Sequence, residues 1–287
     1  MAQPISNTLV YKEDWAIRLQ EELDELVKWK DICRVEYTNS RVLNNPYLTD
    51  ITVQTLTRGS PYVFQVTTET NETITINTGR VAPQVIDRAD WAQSHYMRQM
   101  ELAERQGVLL NEEIEKVVYD DYTNWTVFDG DEIGGAAGTI TVSITNIDDI
   151  ITGLDKEIRE ANGESLANRN GKFIVWRPAH FQILQQYAMQ NGYMTADTTL
   201  KNGIRQGFEY MGFTHYTSNF LNGGHVAAGV KKVLHLGICK DTYGQIMVNE
   251  KDPGEISGIS VVSRVDFAVK TWNKVSTVLF DVRCDAA

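Results

Sequence analysis

The spacing of apolar residues along this chain changes several times, and each change marks an element. Over 11–30, Trp15, Leu19, Leu23 and Leu26 recur at spacings of three and four, with Glu21, Glu22, Asp24 and Glu25 between them. That is an amphipathic helix, whose stripe packs on its own domain or reaches onto a neighbour; the pattern leaves both open. Over 49–80 the period drops to two, as TDITVQTLTRGSPYVFQVTTETNETITINTGR alternates apolar residues with threonine and other polar groups. The alternation predicts strands near 51–57, 62–69 and 73–77, with turns at Gly59-Ser60-Pro61 and Asn71-Glu72. A hairpin resting on a core shows one clean apolar face. Threonine on both sides predicts an arm that projects into solvent or lies across a partner.

Helical spacing returns over 87–121, where Tyr96, Met100, Ala103, Gly107, Leu110, Ile114 and Val117 alternate steps of four and three. Asp87 or Asp90 is the expected N-cap. About 30 residues at 1.5 Å each make a rod of roughly 45 Å. Gly107 should weaken it by about 1 kcal/mol relative to alanine, so a bend or close packing is expected there. A coiled coil competes, but the stripe is mixed in size and the acids are one-sided. GGAAGTITVSITN (134–146) reads as a flexible lead into a strand. A helix follows over 147–162, with Ile150, Ile151, Leu154 and Ile158 on one side. KFIVW (172–176) reads as a buried strand, and 177–192 as a helix with Pro178 in its first turn and Gly192 as its stop. From 208 onward the pattern gives short strands, including 225–238 and 259–283, the latter a strand pair around Trp272-Asn273. The class is α+β, with no internal repeat.

A length of 287 residues supports a large core and two domains, and 42% hydrophobic with 23% charged residues is ordinary for a folded protein. No apolar run approaches the roughly 20 residues that cross a bilayer, so no membrane association is expected. The N-terminal stretch lacks the basic and apolar segments of a signal peptide, and intracellular synthesis is the expectation. Without a secretory signal, Asn71-Glu72-Thr73 and Asn124-Trp125-Thr126 carry no weight as glycosylation sites. Cys33, Cys239 and Cys284 are far apart and odd in number, the pattern of free thiols. The net charge of -11 disfavours gripping nucleic acid. Acids concentrate over 101–132, where Glu112 and Glu113 stand, while 201–287 is slightly basic and contains Lys231-Lys232. Such segments attract one another between copies of one chain.

Candidate chemistry is sparse. His215, His225 and His235 recur at intervals of ten, but zinc sites use closer pairs with carboxylate or thiolate company, so local hydrogen bonds are expected for each. Asp129-Gly130-Asp131-Glu132 lacks the spaced oxygens and distant glutamate of a calcium loop and reads as a solvated turn. The glycines of GDEIGGAAG are not followed by Lys-Ser or Lys-Thr, and no G-x-S-x-G elbow occurs. No catalytic residue, cofactor site or metal site is assigned. GFEYMGFTHYTSNF (207–220) instead holds five aromatic residues among glycines and small polar groups.

The order of segments resembles the major capsid protein of tailed bacteriophages, the Hong Kong 97-like fold. GKFIVWRPAHFQILQQ (171–186) is similar to that family's Gly, apolar strand and Pro-led helix. GIRQGFEYMGFTHYTSNFL (203–221) resembles its G-F … G-F-x-x-Y-x-S-N run, in which Gly212-Phe213 starts a strand and Ser218-Asn219 turns out of it. GGHVAAGVKKVLHLGI resembles the strand that follows. The match is specific over about 170–240 and architectural before 130.

The resemblance implies an N-terminal arm over 1–32, an extended β-hairpin (the E-loop) within 33–86, and a spine helix with peripheral domain over 87–146. An axial domain over 147–250 and C-terminal strands returning to the peripheral domain over 251–287 complete it. It further implies hexamers and pentamers closing an icosahedral shell around double-stranded DNA held without sequence-specific binding. The location is then the virion, after synthesis in the host bacterial cytoplasm. Partners are a portal protein, a separate scaffolding protein or none, and a decoration protein as a further candidate. Contact candidates are Trp15 and Leu19 in the arm, Thr55, Arg58, Tyr62 and Phe64 in the hairpin, Glu112 and Glu113, and Lys231 and Lys232. No lysine lies between Lys30 and Lys116, so the hairpin has none for an isopeptide crosslink. Rival readings are an encapsulin-type compartment, another β-rich virion protein, and an enzyme of unrecognised type.

Overall fold

A computed structural model describes residues 27–59, 61, 63–87, 98–190, 208–250 and 258–285. Two sheets carry the fold. In the first, β1 (Arg34–Thr38), β10 (His235–Cys239), β12 (Gly258–Lys270) and β11 (Ile246–Glu250) lie in that order, with β4 (Thr78–Asp87) also paired to β12. β1 runs parallel to β10; the other pairs are antiparallel. The second has the order β5 (Thr126–Phe128), β13 (Leu279–Arg283), β9 (His225–Val230), β6 (Lys172–Trp176), β8 (Phe213–Thr217), β7 (Phe208–Tyr210). β2 (Val42–Leu48) and β3 (Glu69–Thr75) form a separate two-stranded ribbon. The helices are α1 (Trp29–Ile32), α2 (Arg98–Asp120), α3 (Ile147–Glu160), α4 (Glu164–Asn170) and α5 (Pro178–Gln190).

Local sequence explains the elements nearest the core. β6 is a continuous apolar run, and Phe173, Ile174, Val175 and Trp176 are fully buried in the middle of their sheet. α3 buries Ile147, Ile150, Ile151, Leu154 and Ile158 and turns its acids and lysine outward. α2 lies on the first sheet through a polar staple: buried Gln106 donates its side-chain N–H to the Val261 carbonyl (3.2 Å) and accepts from the Ser263 hydroxyl (2.8 Å). One apolar cluster runs through both sheets, from Trp29 and Ile114 to Phe173, Phe267 and Phe280. A smaller cluster of Ile74, Ile76, Ala268 and Trp272, with Leu43 and Cys239 against it, sits at the foot of the ribbon.

Several expectations are corrected. Asn71-Glu72 does not turn; it lies within β3, because Glu72 and Ile74 face inward and Asn71 pairs with Pro46 across the ribbon. Val42–Leu48 is a strand although Asn44-Asn45-Pro46 reads as a breaker; proline is tolerated because only one neighbouring strand exists. No strand forms over 140–146, where Ile140 makes a single bridge to Cys284 and Val142 N–H donates to Asp285. Residues 225–238 hold two strands in different sheets, separated by a turn with Lys232 at φ 62°. The strand pair around Trp272-Asn273 is likewise split: β12 and β13 belong to different sheets, and a 3-10 segment, Asn273–Val278, joins them. Trp272 cannot serve as an exposed hairpin turn because it is buried, with its indole N–H donating to His235 Nδ1 (3.2 Å).

Asp87 closes β4 rather than capping a helix. The helix over 11–30, apart from its last turn at α1, lies outside the described residues, as do Asp90, Tyr96 and the stretch 191–207.

Gly107 sits inside α2, and a Cβ built there meets nothing within 4 Å, so close packing does not explain it. Gly107→Ala is expected to stabilise the protomer by about 1 kcal/mol, read as a higher urea midpoint at unchanged slope.

Candidate assembly surfaces

The ribbon keeps one register from foot to tip. Val42 stands opposite Thr75 and Leu48 opposite Glu69, and side-chain bonds carry the same alignment onward. Thr49 N–H donates to the Thr68 carbonyl (3.0 Å), and Thr68 N–H to the Thr49 hydroxyl oxygen (3.1 Å). Farther out, Gln65 accepts from Thr52 N–H (2.9 Å) and donates to the Thr52 carbonyl (3.1 Å). Gln54 does the same for Val63, donating to its carbonyl (2.9 Å) and accepting from its N–H (3.3 Å). Glutamine amides thus replace the backbone ladder in the outer half. The tip falls at Arg58-Gly59, where Gly59 adopts φ 87°, a left-handed value that glycine accepts without strain.

The foot is fastened to residues two hundred positions away. The buried Glu72 carboxylate accepts the Asn273 N–H (3.2 Å), which opens the 3-10 segment. A hydrogen bond to Glu72 raises the Tyr47 phenol above its ordinary pKa. Lys274 pairs with Asp50 (3.0 Å) and lies over the Tyr47 ring. A Cβ at Gly237 would stand 2.8 Å from Leu43 Cδ1, so glycine there admits the foot.

A second node fixes the segment that leads out of α1. Glu115, wholly buried on α2, accepts from Lys28 N–H (2.6 Å), from the Tyr119 hydroxyl (2.9 Å) and from the Ser218 hydroxyl (3.3 Å). The Lys28 ammonium lies 4.0 Å from the same carboxylate. Lys232 donates to the Lys30 and Cys33 carbonyls (2.6 and 3.1 Å), capping the end of α1 with a cation. Lys231 donates to the Tyr216 hydroxyl (3.0 Å). Burial, more than the nearby Asp31, pushes that phenol up to about 12.

The three histidines are spread over the two sheets, each with its own local partner. His215 accepts the Trp176 indole N–H at Nδ1 (2.9 Å), and its Nε2 lies 3.1 Å from the Tyr210 carbonyl. The tautomer with hydrogen on Nε2 satisfies both contacts. Burial drives its pKa down to about 4. His235 takes the Trp272 indole, and His225 Nδ1 lies 2.7 Å from Asp281. The aromatic stretch has its explanation in the same place: β7 and β8 form a hairpin whose turn residues Met211 and Gly212 both have positive φ (48° and 78°). Phe213 and Tyr216 enter the core from it.

Asp129, Asp131 and Glu132 bring carboxylate oxygens within 4.8 Å of one another. They serve their own turn: Glu132 accepts from Asp129 N–H (2.6 Å), and Asp129 from Asp131 N–H (3.2 Å). Hydrogen bonding to Asp129 and Glu132 raises Asp131 to about 6.

The contact candidates divide by position. Thr55, Arg58 and Phe64 are exposed on the outer ribbon. Glu112 is half-buried, and Glu113 pairs with Lys116 and with Arg80 (3.7 Å). Lys231 and Lys232 hold their own chain, as described above. Trp15, Leu19 and Tyr62 lie outside the described residues. Sequence reasoning missed Glu115, Glu72 and the glutamine clamps. A glutamate in a charged helix carries no mark of burial, but Gln54 and Gln65 were visible as the two long amides on facing strands.

No protein-family model and no curated protein matches the chain. Solved structures do. Mycobacterium phage Che8 superposes with TM-score 0.70 at 14% identity over 96% of this chain and 97% of that one. The capsid of an empty GTA particle gives 0.71 at 10% identity, covering 98% of each. The virus-like particle from Pyrococcus furiosus gives 0.53 at 13% identity, covering 88% of this chain and 90% of that one. The chain has the fold of these capsid structures, the Hong Kong 97-like α+β arrangement its sequence resembles.

His215 is neutral in the fold and protonates at pH 6.5 in an unfolded chain. Between those values the unfolded state alone takes up a proton, so stability is full above pH 6.5 and falls as pH drops toward 4. The loss from this group is about 3 kcal/mol. His215→Gln should flatten that part of the stability–pH curve, measured by urea titration at pH 7, 5.5 and 4; an unchanged slope refutes the assignment.

Proposed function

We propose that this chain is a major capsid protein of a tailed phage, assembling as hexamers and pentamers into an icosahedral shell around double-stranded DNA. The observation that carries this reading is the pairing of a full-length capsid fold with a ribbon that is exposed on both faces. Two-stranded ribbons are marginal in water by themselves, and this one gains little from its own chain beyond its foot. It gains its stabilisation on a sister molecule. In this reading the ribbon is the E-loop, α2 the spine helix, the first sheet the peripheral domain, and the second sheet with α3, α4 and α5 the axial domain. The protein is structural rather than enzymatic and resides in the virion after synthesis in the host cytoplasm. A portal protein, a scaffolding protein and a decoration protein are its partners. A net charge of -11 suits a wall that encloses DNA without trapping it.

The compartment reading is supported by the likeness to the Pyrococcus furiosus particle, at a lower TM-score than the phage and GTA structures. Nucleic acid inside purified particles favours the capsid; cargo protein favours the compartment.

Electron microscopy of the purified protein should show hollow shells or flat capsomers, and discrete monomers at high concentration would falsify the proposal. Removing 50–67 and joining Thr49 to Thr68 by a short turn leaves Ile74, Ile76 and Glu72 in place; the product should be a folded protomer that forms no shells. A second expectation concerns covalent chemistry. The ribbon contains no lysine, so mature particles should run as a single band on denaturing gels, and a ladder of multimers overturns the non-crosslinked shell.

A further inference from the structure

The ribbon and the first sheet each leave one apolar face bare. In the register that sets Thr52 against Gln65, Ile51 stands opposite Val66 and Val53 opposite Phe64. Opposite residues share a face. One face therefore carries Ile51, Val53, Phe64 and Val66, which are 65%, 98%, 83% and 92% exposed. The other carries Thr52, Gln54 and Gln65, whose polar groups are occupied in holding the strands together.

On the sheet, β12 lies between β4 and β11, so Pro83, Val262 and Met247 form one row. Val81 and Val85 flank Pro83 on the same side of β4. Val81, Val85 and Met247 are 51%, 42% and 51% exposed. The alternate residues of β12, Val261, Ser263 and Val265, are buried, two of them stapled to α2 through Gln106. The helix covers one side of the sheet and leaves the other.

Resting on the capsid reading, we infer that the Ile51–Val53–Val66 face of one copy's ribbon seats on the Val81–Val85–Met247 face of a second copy's sheet. Both faces are bare in the same molecule, so a chain's own ribbon does not cover its own sheet. The ribbon face contains no charged side chain, and the receiving row is apolar from β4 to β11; the match is one of shape and desolvation. The contact is also small. A handful of side chains on each side falls well short of the about 1,600 Å² that holds a stable pair. An isolated pair should therefore separate, while a closed ring, in which every copy both gives and receives a ribbon, keeps the contact by summation.

Cysteine pairs test this in assembled particles. Val53→Cys combined with Val81→Cys, Val85→Cys or Met247→Cys should give disulfide-linked multimers on non-reducing gels after mild oxidation, whereas Gln54→Cys with the same partners should not. Wild type, whose Cys33 and Cys284 are buried, is the ladder-free control. In parallel, Val53→Asp and Val66→Asp place a charge on an exposed site, so the protomer should keep its circular dichroism and melting temperature while shell yield drops at least about tenfold, because a carboxylate would be desolvated at the contact. Shells that form with wild-type yield in the aspartate variants, or that crosslink through Gln54→Cys instead, overturn the inference and leave the capsid reading standing. If wild-type protein forms no particles or capsomers, both fall together.

Discussion

The fold turns on a single carboxylate. Glu115 is buried on α2, and three segments far apart in sequence converge on it: Lys28 from the N-terminal side, Tyr119 one turn along its own helix, and Ser218 where the chain leaves β8. A buried charge without such donors is costly, of the order of several kcal/mol. The three contacts therefore favour forming together. Because β8 belongs to the second sheet and α2 lies on the first, this node registers the two halves of the molecule against each other and against the entering chain. Lys232 reinforces it from the turn between β9 and β10 by capping α1. Half of the charge on the sequence-visible basic pair is thereby consumed indoors.

What was legible in the residues was whatever depends on near neighbours. β6, α3 and α5 follow from unbroken apolar runs or clean helical stripes, and their limits in the structure lie within two residues of those predicted. The hairpin was legible as a period of two. Its bounds were not, because Val42–Leu48 becomes a strand only by pairing with β3, and nothing local in Asn44-Asn45-Pro46 announces that. Sheet membership was beyond reach for the same reason: His225–Val230 and His235–Cys239 have similar local patterns, yet a turn at Lys232 sends them to different sheets. Glu72 and Glu115 look like surface acids until distant segments close over them.

The outer ribbon shows how a protein can keep two strands aligned where a backbone ladder is lacking. Each glutamine amide offers one donor and one acceptor, the same pair that a facing peptide group presents. Gln54 and Gln65, one on each strand, therefore hold the alignment while leaving valine, isoleucine and phenylalanine on the opposite face. Polar fastening and apolar display are separated by the strand's period of two.

The fastening of the ribbon's foot has a temporal consequence. Translation proceeds from the N-terminus, so Tyr47, Asp50 and Glu72 leave the ribosome long before Trp272, Asn273 and Lys274, with which they or their neighbours make contact. Until that later stretch emerges, the foot lacks its hydrogen bond, its ion pair and the tryptophan of its small cluster, and the adhesive face has no set bearing. A half-made polypeptide is thus denied a place in any growing lattice, and only finished molecules are admitted.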